Sequence, residues 1–232
     1  MPAPFVLFGT HPLFGDYVDA IHSVGGILTR LVRNIEEPAS PPGQRVEDRI
    51  ARYEDWLQRQ GLDHRVQVEW LSTFQPNSHE TAVAGFRGPK LESLVRELQQ
   101  RFDLHFPPLI HQTACVSPMA ILEEGVFVGA GTIVAPHTRV GRFTYLNRGV
   151  TLGHDGEIGD YVIIGPSASL ASGVHLQRGA IIGIGATVVE DLRIGTGSYV
   201  AAGAVVLKDV ADHRLVAGVP AVDKKAFLPE SC

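Results

Sequence analysis

The chain is poor in cysteine, lacks long hydrophobic runs and carries no excess of positive charge. Its two cysteines, Cys115 and Cys232, form no spaced pair, so neither a disulfide framework nor a zinc site is expected, and this fits a reducing cytoplasm. The formal net charge of -5 and the pI of about 6.0 argue against a nucleic-acid footprint. No run of about 18 apolar residues is present for a membrane span, and the N-terminus lacks the basic region of a signal peptide. We therefore expect a soluble, cytoplasmic protein without a metal and without a nucleic-acid or membrane partner.

Glycine, in contrast, is abundant, with 25 residues, many of them in the second half of the chain. From residue 115 to residue 210 the sequence divides into sixteen consecutive blocks of six, among them FVGAGT, TLGHDG and IIGIGA. The second position of every block is Val, Leu or Ile, and the last is nearly always small or β-branched. A period of six fits neither an α-helix nor a simple hairpin. It predicts a parallel β-helix of about five triangular coils, in which three blocks complete one turn and the aliphatic residues point inward.

Because three blocks make one coil, residues three blocks apart are expected to stack at the same corner. Charges of opposite sign alternate along one corner, which indicates an exposed salt-bridge ladder rather than an anion site. This corner carries Glu124, Arg142, Asp160 and Arg178. A second corner becomes small above Asn147, where glycine and alanine leave room for an extended ligand beside backbone amides.

The first hundred residues show alternating strand and helix patterns. PFVLFG predicts a buried strand, FGDYVDAIHSVGG a helix and ILTRLVRN a second strand, which is the start of a small doubly wound α/β fold. Further along, VEDRIARYEDWLQRQG and KLESLVRELQQRF predict helices, and VQVEWLSTF and TAVAGF predict strands. The turn over residues 9–16 can hold a phosphate at the N-terminus of the first helix, although Pro12 removes one N–H donor.

These features together resemble the bacterial sugar O- and N-acetyltransferases, a family that includes enzymes of sialic-acid and bacillosamine-type nucleotide-sugar pathways. The resemblance covers most of the chain and is carried by FVLFG…DYVDAI, LIHQTACVSPMA, LNRGVTLGHDGEIGDYV and DHRLVAGVPA. It implies an α/β Rossmann-like substrate domain over residues 1–108 and a left-handed parallel β-helix acyltransferase domain over residues 109–210. Since ADHRLVAGVPAVDKKAF does not continue the repeat, we expect a loop and a short tail over residues 211–232.

The resemblance also implies roles for three residues of the LNRGVTLGHDG motif. His154 matches the general base, Asp155 its carboxylate partner and Asn147 the site asparagine. The chemistry agrees, because an imidazole accepts a proton near neutral pH and a neighbouring carboxylate fixes its tautomer. The alternative interpretation is that His154 and Asp155 are only polar turn residues at a corner.

Further ligand contacts follow from the same resemblance. The acyl donor would be acetyl-CoA, bound between two subunits of a homotrimer, with no metal involved. Its pantetheine and phosphates match Ser172, Gly173, Gly183, Ile184, Ala201, Ala202 and Lys208. The acceptor would be a nucleotide-linked amino sugar whose nucleotide is contacted by Gly9, Thr10 and Asn34.

Two departures from the family pattern keep other functions open. Some relatives carry a second histidine at the position of Ile163, and GTHPLFGD replaces the usual glycine-rich loop. The alternatives are an O-acetyl- or other acyltransferase acting on a non-UDP acceptor, and a non-catalytic β-helix binding module. His22 and several other histidines have no clustered partner in the sequence.

Overall fold

The computed structural model describes residues 2–9, 13–36, 41, 43–88 and 91–226. The chain divides into two compact units. The first comprises Met1–Phe86 and Ser93–Pro107, and the second comprises Arg87–Glu92 and Pro108–Cys232.

The first unit is built on a four-stranded parallel sheet with the strand order β3-β2-β1-β4. Each of its predicted strands and helices is present within a few residues of the expected position. The elements are β1 (Ala3–Phe8), α1 (Phe14–Ser23), β2 (Gly26–Arg33), α2 (Val46–Arg59), β3 (Gln67–Trp70), β4 (Thr81–Ala84) and α3 (Leu91–Phe102). β1 and β4 are mostly buried, whereas the edge strand β3 is mostly exposed. Phe8, on β1, packs edge-on against Phe74 at 5.1 Å and Phe106 at 6.1 Å between ring centroids.

A cluster of charged side chains is largely buried in this unit. The side chain of Arg30, on β2, is 12% exposed and donates to Glu80 Oε2 at 2.8 Å and to Glu69 Oε1 at 2.9 Å. Glu80, whose side chain is only 5% exposed, also accepts a 2.6 Å bond from the Thr29 hydroxyl. The guanidinium lies 4.8 Å from the centre of the Phe74 ring. Burial alone would lower the pKa of Arg30, but the bonds and charges of Glu80 and Glu69 outweigh it and raise that pKa.

The second unit is a parallel β-helix in which each hexapeptide supplies a two-residue strand and a corner. Three sheets run along it, and each strand pairs with the equivalent strands of the coils below and above it, as Tyr145 does with Phe127 and Ile163. The strands are β5 (Leu109–Ile110), β6 (Cys115–Val116), β7 (Ile121–Leu122), β8 (Phe127–Val128), β9 (Ile133–Val134), β10 (Arg139–Val140), β11 (Tyr145–Leu146), β12 (Thr151–Leu152), β13 (Glu157–Ile158), β14 (Ile163–Ile164), β15 (Ser169–Leu170), β16 (His175–Leu176), β17 (Ile181–Ile182), β18 (Thr187–Val188), β19 (Arg193–Ile194), β20 (Tyr199–Val200), β21 (Val205–Val206), β22 (Arg214–Ala217) and β23 (Val222–Ala226).

The hexapeptide pattern has a direct structural cause. The second residue of each block from Val128 to Val206 points into a continuous aliphatic core and is at most 3% exposed. Threonine at the last position is also buried, because its hydroxyl donates to a carbonyl oxygen of the next coil. Three such bonds of 2.7–2.8 Å join Thr132 to Asn147, Thr138 to Gly153 and Thr144 to Gly159. The fifth residue of most blocks adopts a left-handed conformation that turns the corner.

The corner columns predicted from the three-block spacing are confirmed where the structure records contacts. Asp160 Oδ1 accepts a 2.8 Å bond from the Arg142 N–H, and its Oδ2 lies 3.4 Å from the Arg142 guanidinium and 3.8 Å from that of Arg178. All three side chains are partly exposed, so each pair contributes little stability.

The expectation of a loop and tail over residues 211–232 is wrong for residues 214–217 and 222–226. β22 pairs parallel with β20, so that Leu215 aligns with Tyr199, and β23 adds an antiparallel strand. Val210 likewise bridges to Ile194. Both pairings show that the last coil is two residues shorter than the coils before it. The two missing residues fall in the corner between Val206 and Val210. A strict six-residue register therefore does not detect the continuation.

No helix in the described part of the chain is long and apolar enough to cross a membrane. The same residues contain no group of three or more His, Cys, Asp or Glu side chains placed to hold a metal ion.

Candidate active site

His154 and Asp155 occupy the corner between β12 and β13. The buried side chains of Leu152 and Ile158 hold the flanking strands in the core, while 61% of the His154 side chain and 63% of that of Asp155 are exposed. Asp155 takes the left-handed conformation of the fifth block position, with φ of +58°. The repeat therefore turns both side chains outward.

The two side chains form a hydrogen-bonded pair. His154 Nδ1 lies 2.7 Å from Asp155 Oδ2. A carboxylate only accepts, so Nδ1 carries the hydrogen and Nε2 keeps its lone pair for a proton. Neighbouring coils hold the corner in place, because the Asp155 N–H donates to the Pro136 carbonyl at 3.2 Å and the His154 carbonyl accepts from Gly173 N–H at 2.9 Å. The pair has the tautomer and the access that a general base needs.

Asn147 lies at the preceding corner, between β11 and β12, and only 5% of it is exposed. Its Oδ1 accepts a 2.8 Å bond from the Arg148 N–H. Among the described residues, no hydrogen bond joins Asn147 to His154. One chain therefore places the predicted asparagine and the predicted base on successive corners and does not bring them together.

The predicted acyl-donor contacts divide between the same two corners. Ser172, Gly173 and Lys208 follow His154 upward along its corner, with Lys208 about 14 Å above it at roughly 4.8 Å per coil. The remaining four lie above Asn147, and Ile184 among them is 56% exposed. These four residues are Gly183, Ile184, Ala201 and Ala202.

Gly173 is constrained from above by Asp191, a carboxylate that sequence reasoning missed. A Cβ at Gly173 would lie 2.2 Å from Asp191 Oδ1, and φ at Gly173 is +67°. Asp191 follows Gly173 by three blocks, and this spacing is the signal that reveals the contact. We expect Gly173→Ala to destabilise the β-helix by the left-handed strain of about 1–2 kcal/mol plus a clash. Chemical unfolding followed by circular dichroism measures the loss.

Gly203 provides a matched control, because its φ is +66° and nothing lies within 4 Å of a Cβ placed there. Gly203→Ala should show the strain without the clash. In a Gly173→Ala, Asp191→Ala double variant the loss should return to the level of Gly203→Ala. Equal losses for the two single variants would contradict the clash.

Ile163 has a packing role in this fold. It lies on β14 between Tyr145 and Ile181 of the neighbouring strands, and a Cβ at Gly88 would be 3.0 Å from its Cδ1. Ile163 is half-buried, and its aliphatic side chain lies close to Gly88 without bringing a polar group there. A histidine ring at this position would bring a polar group into that contact.

Two of the three predicted nucleotide contacts lie at the carboxyl ends of β1 and β2, neighbouring parallel strands of the first unit. Gly9 has φ of +106°, and a Cβ there would lie 2.0 Å from the Phe86 ring, so only glycine fits. Asn34 Oδ1 is buried and has no hydrogen-bond partner among the described residues. Thr10 and much of the turn over residues 9–16 lie outside the described residues. The carboxyl edge of a parallel sheet is where such folds bind ligands.

No protein-family model and no curated protein matches this chain. Several solved structures, in contrast, are similar to this chain. PerB of Caulobacter crescentus, in complex with CoA and GDP-perosamine, is 27% identical with a TM-score of 0.74, over 96% of this chain and 97% of that chain. A mutant of perosamine N-acetyltransferase from the same organism is 26% identical to this chain, with a TM-score of 0.75 and the same coverage. The PglB acetyltransferase domain of Neisseria gonorrhoeae FA1090, in complex with acetyl coenzyme A, is 21% identical with a TM-score of 0.76, over 97% of this chain and all of that domain.

These structures confirm the predicted fold class, a Rossmann-like subdomain followed by a left-handed parallel β-helix. They also confirm the predicted resemblance to hexapeptide-repeat sugar acetyltransferases and the prediction of an acyltransferase.

Proposed function

We propose that this chain, an acyltransferase with the left-handed β-helix fold, transfers acetyl from acetyl-CoA to the amino group of a nucleotide-linked amino sugar. The His154–Asp155 pair carries the proposal, because its 2.7 Å bond leaves an exposed Nε2 able to accept a proton. Support for the two substrates comes from PerB, 27% identical over nearly the whole chain, whose structure holds CoA and GDP-perosamine.

In the proposed reaction, His154 Nε2 removes a proton from the sugar amine as its nitrogen attacks the thioester carbonyl carbon. The Asp155 carboxylate stabilises the imidazolium that forms. The tetrahedral intermediate, held by a backbone N–H, then collapses as the carbon–sulfur bond breaks. The His154 imidazolium returns its proton to the departing sulfur, which leaves as the CoA thiol, and the new bond is an amide.

The division of the predicted donor contacts between two corners supports a homotrimer. If neighbouring chains pack corner to corner, Ser172, Gly173 and Lys208 of one chain face Gly183, Ile184, Ala201 and Ala202 of the next. Asn147 would then enter the cleft from the second chain. The nucleotide would bind Gly9, Thr10 and Asn34, where the buried Asn34 Oδ1 offers an acceptor that no described group uses. We place the reaction in the cytoplasm.

Acetyl transfer is tested by incubating the protein with acetyl-CoA and either a GDP- or a UDP-linked amino sugar, with mass spectrometry of the product. We expect acetylation of the amine, and free GDP or UDP should raise the apparent KM for the matching acceptor. The hydroxyl analogue of each sugar is the control. Acylation of the hydroxyl compound instead would contradict N-transfer, and binding of acetyl-CoA by calorimetry without turnover would favour a binding module.

A further inference from the structure

A cleft of about 370 Å³ runs between α1 and α2 of the first unit. Its apolar part is formed by Phe14 and Val18 of α1 and by Tyr53 and Trp56 of α2. Its volume lies within the range of small-molecule sites, roughly 300–1,000 Å³. Phe14 and Gly15, at the end of the turn over residues 9–16, line it, but Gly9 and Asn34 and the proposed acyl-donor contacts do not.

Trp56 forms one wall of this cleft. Its ring is nearly parallel to Tyr53, at 12° and 6.3 Å between centroids, and the His22 ring meets it edge-on at 4.4 Å. Even so, 41% of Trp56 remains exposed, whereas Tyr53 is buried. Large aromatic side chains are usually covered, so an indole fixed by two neighbours and open to the cleft is a preformed stacking surface.

The polar groups behind this wall are already arranged. The Tyr53 hydroxyl accepts a 3.1 Å bond from the Leu28 N–H and lies 3.3 Å from His22 Nε2. Burial lowers the pKa of His22 against the opposing effect of Asp19, so the imidazole is neutral at neutral pH. With the hydroxyl donating to Nε2, His22 keeps a hydrogen on Nδ1 as a further donor.

The charges along the cleft favour an anion. Arg49 Nε donates to the Gln44 carbonyl and Arg52 Nη2 to the Gly43 carbonyl, each at 2.8 Å. A carbonyl group orients the Arg52 guanidinium ion without neutralising it, and among the described residues no carboxylate pairs with Arg52. Among the described residues that line the cleft, Asp19 is the one carboxylate, so Arg52 is the cation that the described part of the cleft offers to an anion.

We propose that this cleft is a second ligand site, for a planar aromatic molecule that carries one carboxylate or phosphate group. The ring stacks on Trp56 above Phe14 and Val18, and the anionic group pairs with Arg52. The site is independent of the proposed acetyl transfer, since it uses other residues of the first unit.

Calorimetric titration of the full chain with indole-3-acetate, phenyl phosphate and uncharged indole tests this proposal. We expect saturable binding of at least one of the two anions, and the stronger of them identifies the anionic group. Arg52→Gln should weaken anion binding about tenfold and leave indole binding nearly unchanged. Trp56→Leu should weaken every probe that binds about tenfold or more, because stacking on an aromatic side chain contributes about 1–3 kcal/mol.

Trp70→Leu is the matched control, because Trp70 is 39% exposed in the same unit but lies outside the cleft, 5.9 Å from the Arg33 guanidinium. It should bind all probes like the unaltered protein. Absence of saturable binding by both anions at millimolar concentration would overturn the proposal, as would an equal loss in Trp56→Leu and Trp70→Leu. Arg52 is exposed, so Arg52→Gln keeps the test valid even if a tryptophan variant folds poorly.

Discussion

Replacing His154 by alanine is expected to lower kcat for acetyl transfer by about 10²–10⁴-fold, the usual contribution of a general base. The physical reason is that the amine must lose a proton as it attacks. At this corner, His154 is the described side chain that is hydrogen-bonded to the Asp155 carboxylate and can accept that proton. Because the His154 side chain is 61% exposed and makes no core contact, its removal should leave the free energy of unfolding nearly unchanged. Steady-state kinetics together with chemical unfolding measure both quantities.

Asp155→Asn separates the effect of the carboxylate charge from the effect of the backbone conformation at this corner. Asparagine tolerates the left-handed conformation well, so the φ of +58° is kept while the negative charge is lost. As a positioning residue, Asp155 acts through His154. We therefore expect kcat to fall by less than in His154→Ala, with both KM values unchanged.

His175→Ala is the matched control, because His175 is an exposed histidine of the same β-helix that lies on β16 rather than at the corner. It should keep full activity. If His154→Ala remained as active as His175→Ala in a folded protein, His154 would not be the general base.

The β-helix was predictable because its six-residue period reflects one strand and one corner. Each inward residue, such as Leu152 or Ile164, pairs with the equivalent residues of the neighbouring coils, so the local pattern also fixes the long-range contacts. The prediction failed after Val206, where one shorter corner shifts the register by two residues and moves Val216 into the core. A repeat analysis that allows a single deletion would have detected β22.

The candidate site was predictable only as far as it is local. His154 and Asp155 are adjacent in sequence, and their pairing follows from that. The burial of Asn147 and the cover of Gly173 by Asp191 depend on the stacking of coils. The aromatic cluster around His22 joins two helices that are separated by a strand and a loop, so no local pattern indicates it.

The buried cluster around Arg30 could not be predicted either, because Glu69 and Glu80 come from separate segments. Arg30→Met is expected to lower the free energy of unfolding of the first unit by about 3–5 kcal/mol. Methionine fills much of the volume, but Glu80, 5% exposed, would keep a buried charge that has lost its bonded guanidinium and retains the bond from the Thr29 hydroxyl. Both tryptophans, Trp56 and Trp70, lie in this unit, so their fluorescence during urea unfolding measures its stability.

Two further variants decide whether the loss comes from the stranded charge. Arg30→Met combined with Glu80→Gln keeps an acceptor for Thr29 but removes the charge, and it should recover a large part of the stability. Arg59→Met breaks the pair between Arg59 and Asp55, whose side chains are 70% and 57% exposed, and should cost at most about 0.5 kcal/mol. A double variant as unstable as Arg30→Met would mean that lost packing around Phe74, rather than an unpaired carboxylate, causes the effect. The free energy of unfolding of the double variant is also compared with that of the unaltered protein. The sign of this difference shows whether the ion cluster stabilises the unit or only avoids the cost of burying Glu80 alone.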